Sequence, residues 1–230
     1  MRSGTARDGA ARGRLRARPG AAPEEPAPAP GLHPIGSGQR RDGLLRVPDG
    51  AGDAAVPLVV MLHGAGGDAA GALRLIEAAV PPGALLLVPE SRGPTWDVIM
   101  GSYGPDVGFL DAALGAVFRR HRVDARRVAL AGFSDGASYA LSLALGNGDL
   151  FTHAFGFSPG FIAPAEQVGK PDFFVSHGVA DEVLPIDACS RRLVPRLREA
   201  GYAVRYCEFP GGHSVPGELA AEAMEMLAEG

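Results

Sequence analysis

The sequence predicts an α/β fold with a mostly parallel central sheet flanked by helices. Three observations predict it. Short unbroken apolar runs recur along the chain, as suits strands covered on both faces. Helix-patterned segments separate those runs, which favours parallel strands joined by right-handed crossovers. Finally, 230 residues with 46% hydrophobic and 21% charged content suit one soluble globular domain.

In chain order, residues 44–47 form a short strand candidate. Residues 58–62 form an apolar run that ends in His63-Gly64-Ala65-Gly66-Gly67. Strand patterns follow at 85–88, 128–131, 154–157, 173–175 and 204–209. Helix patterns fill the gaps at 69–80, 107–121, 136–145, 187–200 and 216–228. Asp68 and Asp106 stand where a carboxylate would cap the first two helices, and Gly201 stands where the fourth would stop. In such sheets ligands bind beyond the carboxyl ends of the strands.

Composition narrows the function classes. A formal net charge of -4 gives no footprint for nucleic acid. No apolar stretch reaches the roughly 18 residues a spanning helix needs, so no membrane span is expected. Cys189 and Cys207 have no zinc-ligand spacing and read as reduced thiols, which fits the cytoplasm. Arg2, Arg7, Arg12, Arg14, Arg16 and Arg18 crowd the start, followed by an Ala/Pro-rich run. Residues 1–31 are therefore read as a disordered tail that buries too little apolar surface to offset its ordering entropy, and 32–230 as the single domain. The start lacks the apolar region of a secretory signal, and its Ala, Gly and Pro content sets it apart from a Ser-rich transit peptide.

Gly132-Phe133-Ser134-Asp135-Gly136 matches G-x-S-x-G between a predicted strand and a predicted helix, the setting in which a tight turn lifts a serine above the sheet. A serine hydroxyl needs a base, and the base needs an orienting carboxylate. Asp181 and His213 each follow a strand in turn, so Ser134, Asp181 and His213 form a candidate catalytic triad. Asp187 is the rival acid, but it reads as a helix cap. His63 and His177 read as loop-holding histidines, His121 and His153 flank predicted elements and read as exposed or locally bonded, and His33 belongs to the region next to the tail. The backbone N–H groups of Ala65 and Asp135 are candidates for the oxyanion hole. The Gly-rich loop lacks the Lys-Ser/Thr ending of a phosphate cradle. Trp96 and Met100, in the irregular stretch 90–105, are candidates for the pocket wall.

These motifs, with Thr95-Trp96-Asp97, Phe157-Ser158-Pro159-Gly160 and the segments 59–67, 106–111, 130–145, 176–185 and 211–216, resemble the phospholipase/carboxylesterase branch of the α/β-hydrolases. The resemblance covers most of the chain from about residue 44. Related dienelactone hydrolases carry cysteine at the elbow, where this chain has Ser134. The resemblance implies hydrolysis of short or medium acyl esters by a serine carboxylesterase with no metal or other cofactor. A thioesterase using the same triad is the alternative within the class, and a non-catalytic binding protein on the same scaffold is the alternative outside it. No insertion long enough for a large lid is present, which favours small ester substrates. A homodimer built on the last helix or strand is left open.

Overall fold

The structure is a computed structural model that describes residues 9–50 and 54–229. Its strands are β1 (Gly31–Pro34), β2 (Gly43–Val47), β3 (Val56–Leu62), β4 (Leu85–Pro89), β5 (Val123–Phe133), β6 (His153–Phe157), β7 (Asp172–Gly178) and β8 (Val204–Phe209). They form one sheet in the order β1-β2-β4-β3-β5-β6-β7-β8. Pairing is antiparallel from β1 to β2 and from β2 to β4, and parallel from β4 onward.

The unbroken apolar runs follow from burial on both faces. Leu58, Val60 and Leu62 of β3 point into one core and Val59 and Met61 into the other, and all five are fully buried. The first core is closed by α2 (Pro105–Arg120), α3 (Asp135–Gly146) and α4 (Ser190–Glu199). The second is closed by α1 (Ala69–Ile76) and α5 (Gly217–Glu229). Each buried Leu or Val side chain contributes about 1.5–3 kcal/mol relative to exposure.

The helix ends differ in detail from the sequence expectations. Asp68 does cap α1, accepting from the Gly71 N–H at 2.7 Å. Asp106 is not a cap. Gly104 occupies that position with Pro105 as the first helical residue, so Asp106 falls inside the helix and turns inward. Asp187 is not a cap either, because α4 starts at Ser190 after Cys189. Its carboxylate is exposed and bonds Arg191 at 2.8 Å. Gly201 does follow the end of α4, with a φ of 79°. β1 was not foreseen: it is a four-residue edge strand with mostly exposed side chains, so it has no hydrophobic pattern to read.

The tail expectation requires correction over residues 9–31, while residues 1–8 lie outside the described residues. Leu15 is only 2% exposed and joins the first core. Around it, the buried Asn147 side chain accepts from the Leu15 N–H at 2.9 Å and donates to the Gly13 carbonyl at 2.7 Å. Asp111 accepts from the Arg16 and Ala17 N–H groups, and Arg14 and Arg18 pair with Asp149. Further on, Glu24 and Glu25 donate their N–H groups to the Arg119 carbonyl, and the Glu25 side chain pairs with Arg119 and Arg120. Composition hid this because one leucine and a set of specific polar partners do the anchoring, rather than a hydrophobic stretch. Leu15→Ala should therefore destabilise the protein by about 2–5 kcal/mol, the range for a truncated core leucine. Denaturant melts measure this, and an unchanged midpoint would mean the segment is free in solution.

Candidate active site

The sequence around Ser134 allows a turn that few sequences allow. Ser134 has φ 58° and ψ −122°, between the end of β5 and the start of α3. A Cβ on Gly132 would lie 2.2 Å from the Gly136 carbonyl oxygen, and one on Gly136 would lie 2.4 Å from the Leu62 and His63 carbonyl oxygens. Only glycine fits at either place. The Ser134 N–H donates to the Phe157 carbonyl at 3.0 Å, which ties the turn to β6.

His213 and Asp181 reach Ser134 from neighbouring strand ends. His213 Nε2 lies 2.9 Å from Ser134 Oγ, and His213 Nδ1 lies 2.6 Å from Asp181 Oδ2. The loop after β7 packs directly on the loop after β8: Ala180 N–H donates to the Gly211 carbonyl, and a Cβ on Gly178 would lie 2.3 Å from that oxygen. The His213 ring also rests against Phe133, with ring centroids 4.7 Å apart. Burial would raise the Asp181 carboxyl, but the Leu184 N–H, the His213 ring and the Val183 N–H hold it below the usual carboxylate range. Asp181 is thus ionised at neutral pH and can hold one imidazole tautomer. Asp187 takes no part in this chain of contacts.

The loop after β3 is gripped from several sides. Gly66 N–H donates to the Pro94 carbonyl at 2.8 Å, Trp96 Nε1–H donates to the His63 carbonyl at 2.8 Å, and Arg41 Nη2 donates to the Gly67 carbonyl at 2.8 Å. His63 Nε2 accepts from the Ser91 N–H, so its proton sits on Nδ1 and goes to the Gly64 carbonyl. Burial keeps this histidine neutral. The backbone N–H groups of Ala65 and Asp135 have no acceptor among the described residues. A Cβ on Gly64 would lie 3.3 Å from the Ser134 Cβ, so this loop runs beside the serine.

The pocket-wall expectation for Trp96 is corrected: it is fully buried, stacked on Tyr139 with centroids 5.2 Å apart, and its indole N–H is satisfied by the His63 carbonyl. Met100 is 71% exposed, at the end of the short helical turn that follows Trp96. A cavity of about 390 Å³ instead opens between the β3 loop and α1, with Gly64, Ala65, Ala72, Leu75 and Phe133 in its walls and Arg74 at its edge. His121 and His153 are both buried rather than exposed, His153 with a local bond to Thr152 Oγ1, while His177 is bonded through both ring nitrogens as a loop-holding histidine should be.

Two further features were invisible as function in the sequence. Thr95 Oγ1 donates to Asp135 Oδ2 at 2.7 Å, which braces the residue after Ser134. Asp106, inside α2, accepts from the Arg92 and Asp97 N–H groups at 2.5 and 2.7 Å and so closes the loop that carries Thr95 and Trp96. Burial and the nearby Asp97 charge push the Asp106 carboxyl up to about 6. In the sequence Thr95 stands only as part of the irregular stretch and the Thr95-Trp96-Asp97 motif, and Asp106 only as a helix-cap candidate.

Two predictions follow from this brace. Thr95→Val keeps the shape and removes the bond to Asp135, so turnover should fall about tenfold, equivalent to about 1.4 kcal/mol, with little change in KM. Steady-state kinetics test this, and a pure rise in KM would contradict it. For Asp106, the folded value lies above the unfolded one near 4, so its protonated form favours the fold. That contribution is complete below about 4 and is lost as pH rises through about 6. Wild-type stability should therefore fall relative to Asp106→Asn across that window, measured by denaturant melts at a series of pH values.

No protein-family model matches the chain, and no curated protein sequence matches it. Solved structures do match. Esterase PE8 superimposes with a TM-score of 0.66 at 24% identity, covering 81% of this chain and 97% of that one. The Bacillus cereus carboxylesterase gives 0.65 at 20% identity, covering 84% and 96%. FphF, a fluorophosphonate-binding serine hydrolase of Staphylococcus aureus, gives 0.67 at 13% identity, covering 86% and 99%. With the strand order and the turn at Ser134, this likeness establishes that the chain has the α/β-hydrolase fold.

Proposed function

We propose that this protein is a serine hydrolase that cleaves carboxylic esters of short or medium acyl groups through an acyl-enzyme intermediate. The observation that carries the proposal is the unbroken line from Ser134 Oγ through His213 to Asp181, at 2.9 and 2.6 Å, beside two amides with no acceptor among the described residues. His213 holds its proton on Nδ1 toward Asp181, which leaves the Nε2 lone pair for the Ser134 hydroxyl proton. As that proton moves to Nε2, Oγ forms a bond to the ester carbonyl carbon and the carbonyl oxygen takes the negative charge. The Ala65 and Asp135 N–H groups are placed to receive that charge. Collapse expels the alcohol, which takes the proton from Nε2. Water then attacks the acyl-enzyme with the same base and returns Ser134.

The cavity beside Ala65 has small and apolar walls, suited to the hydrocarbon part of a small ester. The likeness to esterase PE8 and the Bacillus cereus carboxylesterase supports the same chemistry.

A fluorophosphonate probe should label wild-type protein at Ser134 and fail on Ser134→Ala. Asp181→Asn should keep the fold and lose up to about 10⁴ in turnover, whereas Asp187→Asn should be nearly silent. Chelator should leave activity intact. A folded wild-type protein that takes no label and cleaves no ester in a panel of acyl chain lengths would overturn the proposal. Matched thioesters in the same panel separate the thioesterase alternative.

A further inference from the structure

Asp181 faces two histidines. His177 lies near the end of β7, fully buried, with Nε2 3.2 Å from Asp181 Oδ2, the same oxygen that accepts from His213 Nδ1. The same Nε2 lies 2.8 Å from the Leu184 carbonyl oxygen, and Nδ1 lies 2.7 Å from Ser190 Oγ at the start of α4. The bond to the Leu184 carbonyl requires the proton on Nε2, so the Ser190 hydroxyl donates to Nδ1, and the Nε2–H meets Asp181 Oδ2 as a secondary contact beside that bond. Leu184 is held from both sides, since its N–H donates to Asp181 Oδ1 at 2.8 Å while its carbonyl accepts from His177.

We infer that His177 is a positioning residue for Asp181, whose Nε2–H fixes Oδ2 toward His213 and takes a share of its negative charge. This rests on the hydrolase reading above. The Val183 and Leu184 amides hold Oδ1 alone, so without His177 the orientation of Oδ2 depends on the partly exposed His213 ring. A neutral donor orients the carboxylate without cancelling its charge, and burial keeps His177 neutral. The charged and titratable groups around it are Asp181 and His213 on the two loops and Glu208 on β8. Glu208 is itself held by Arg191, and Cys189 lies beside Asp181 ahead of α4.

Two consequences follow from the shared oxygen. Loss of the His177 donor lets Oδ2 wander, which lowers kcat more than it raises KM. It also leaves the whole carboxylate charge to His213, which holds its proton more tightly, so the acid limb of activity moves to higher pH. Glutamine in place of His177 can present an N–H near the Nε2 position, and leucine cannot.

The experiment compares wild type, His177→Leu, His177→Gln and Ser190→Ala. For His177→Leu, kcat on a short p-nitrophenyl ester should fall about 10- to 100-fold, with KM little changed and the acid limb displaced to higher pH. His177→Gln should recover most of both, and Ser190→Ala, which frees the His177 tautomer, should show a smaller loss of the same kind. Proton NMR supplies a readout that needs no turnover: the far-downfield His213 Nδ1–H resonance should vanish in Asp181→Asn, move in His177→Leu and return in His177→Gln. An unmoved resonance in His177→Leu overturns the inference. If that variant does not fold by circular dichroism, an unmoved resonance and acid limb in Ser190→Ala overturn it instead. Wild type that shows the resonance pattern but neither cleaves nor labels would sink the hydrolase reading and leave the positioning of Asp181 supported.

Discussion

The site depends first on the backbone of Ser134, held at positive φ in a turn too tight for most sequences. A non-glycine residue there costs on the order of 1–3 kcal/mol and persists only where its surroundings enforce it. Here they do. α3 starts immediately after the serine and is buried along nearly its whole length, and its Gly136 sits against the carbonyls at the end of β3. The packing of that helix into the sheet and the placement of the serine hydroxyl beside His213 are one event. The strain is offset by core burial, and it leaves Oγ facing His213.

The charge stabilisation that the proposed mechanism requires would rest on rigidity brought from the core. Ala65 and Asp135 belong to loops, which would be mobile if left alone. The segment 91–106 fastens both of them. Pro94 and Trp96 hold the loop of Ala65, and Thr95 holds Asp135. Trp96 transmits this from within, stacked between Tyr139 and the His63 ring. Buried Asp106 closes the segment by accepting its backbone N–H groups. A buried carboxylate is costly, and the compensation is a fixed geometry at the two amides proposed to receive the developing charge.

The N-terminal segment adds to the same assembly from outside. Leu15 enters the core that contains Tyr103 and Tyr139, and Gly13 lies against the Tyr103 ring. Asn147, one residue beyond α3, satisfies the strap's backbone with both ends of its amide. The helix that fixes the serine is thereby capped by a segment more than 100 positions away in sequence.

By itself the sequence determined the alternation of strands and helices and the turn at Ser134. It also determined the chain order of Ser134, Asp181 and His213, because each is a local matter of apolar period, glycine placement and residues at strand ends. The same locality made Asp181 preferable to Asp187, and the contacts of His213 agree with that ranking. Whatever depended on partners distant in the chain was decided only by the tertiary structure. Trp96 reads as a pocket residue until the His63 carbonyl provides a buried acceptor, Asp106 reads as a cap until Pro105 displaces it inward, and the Arg-rich start reads as free until Asn147, Asp111 and Asp149 meet it. Hydrogen bonds and close packing between remote segments leave no periodic trace in a sequence, so these assignments exist only once the chain has folded.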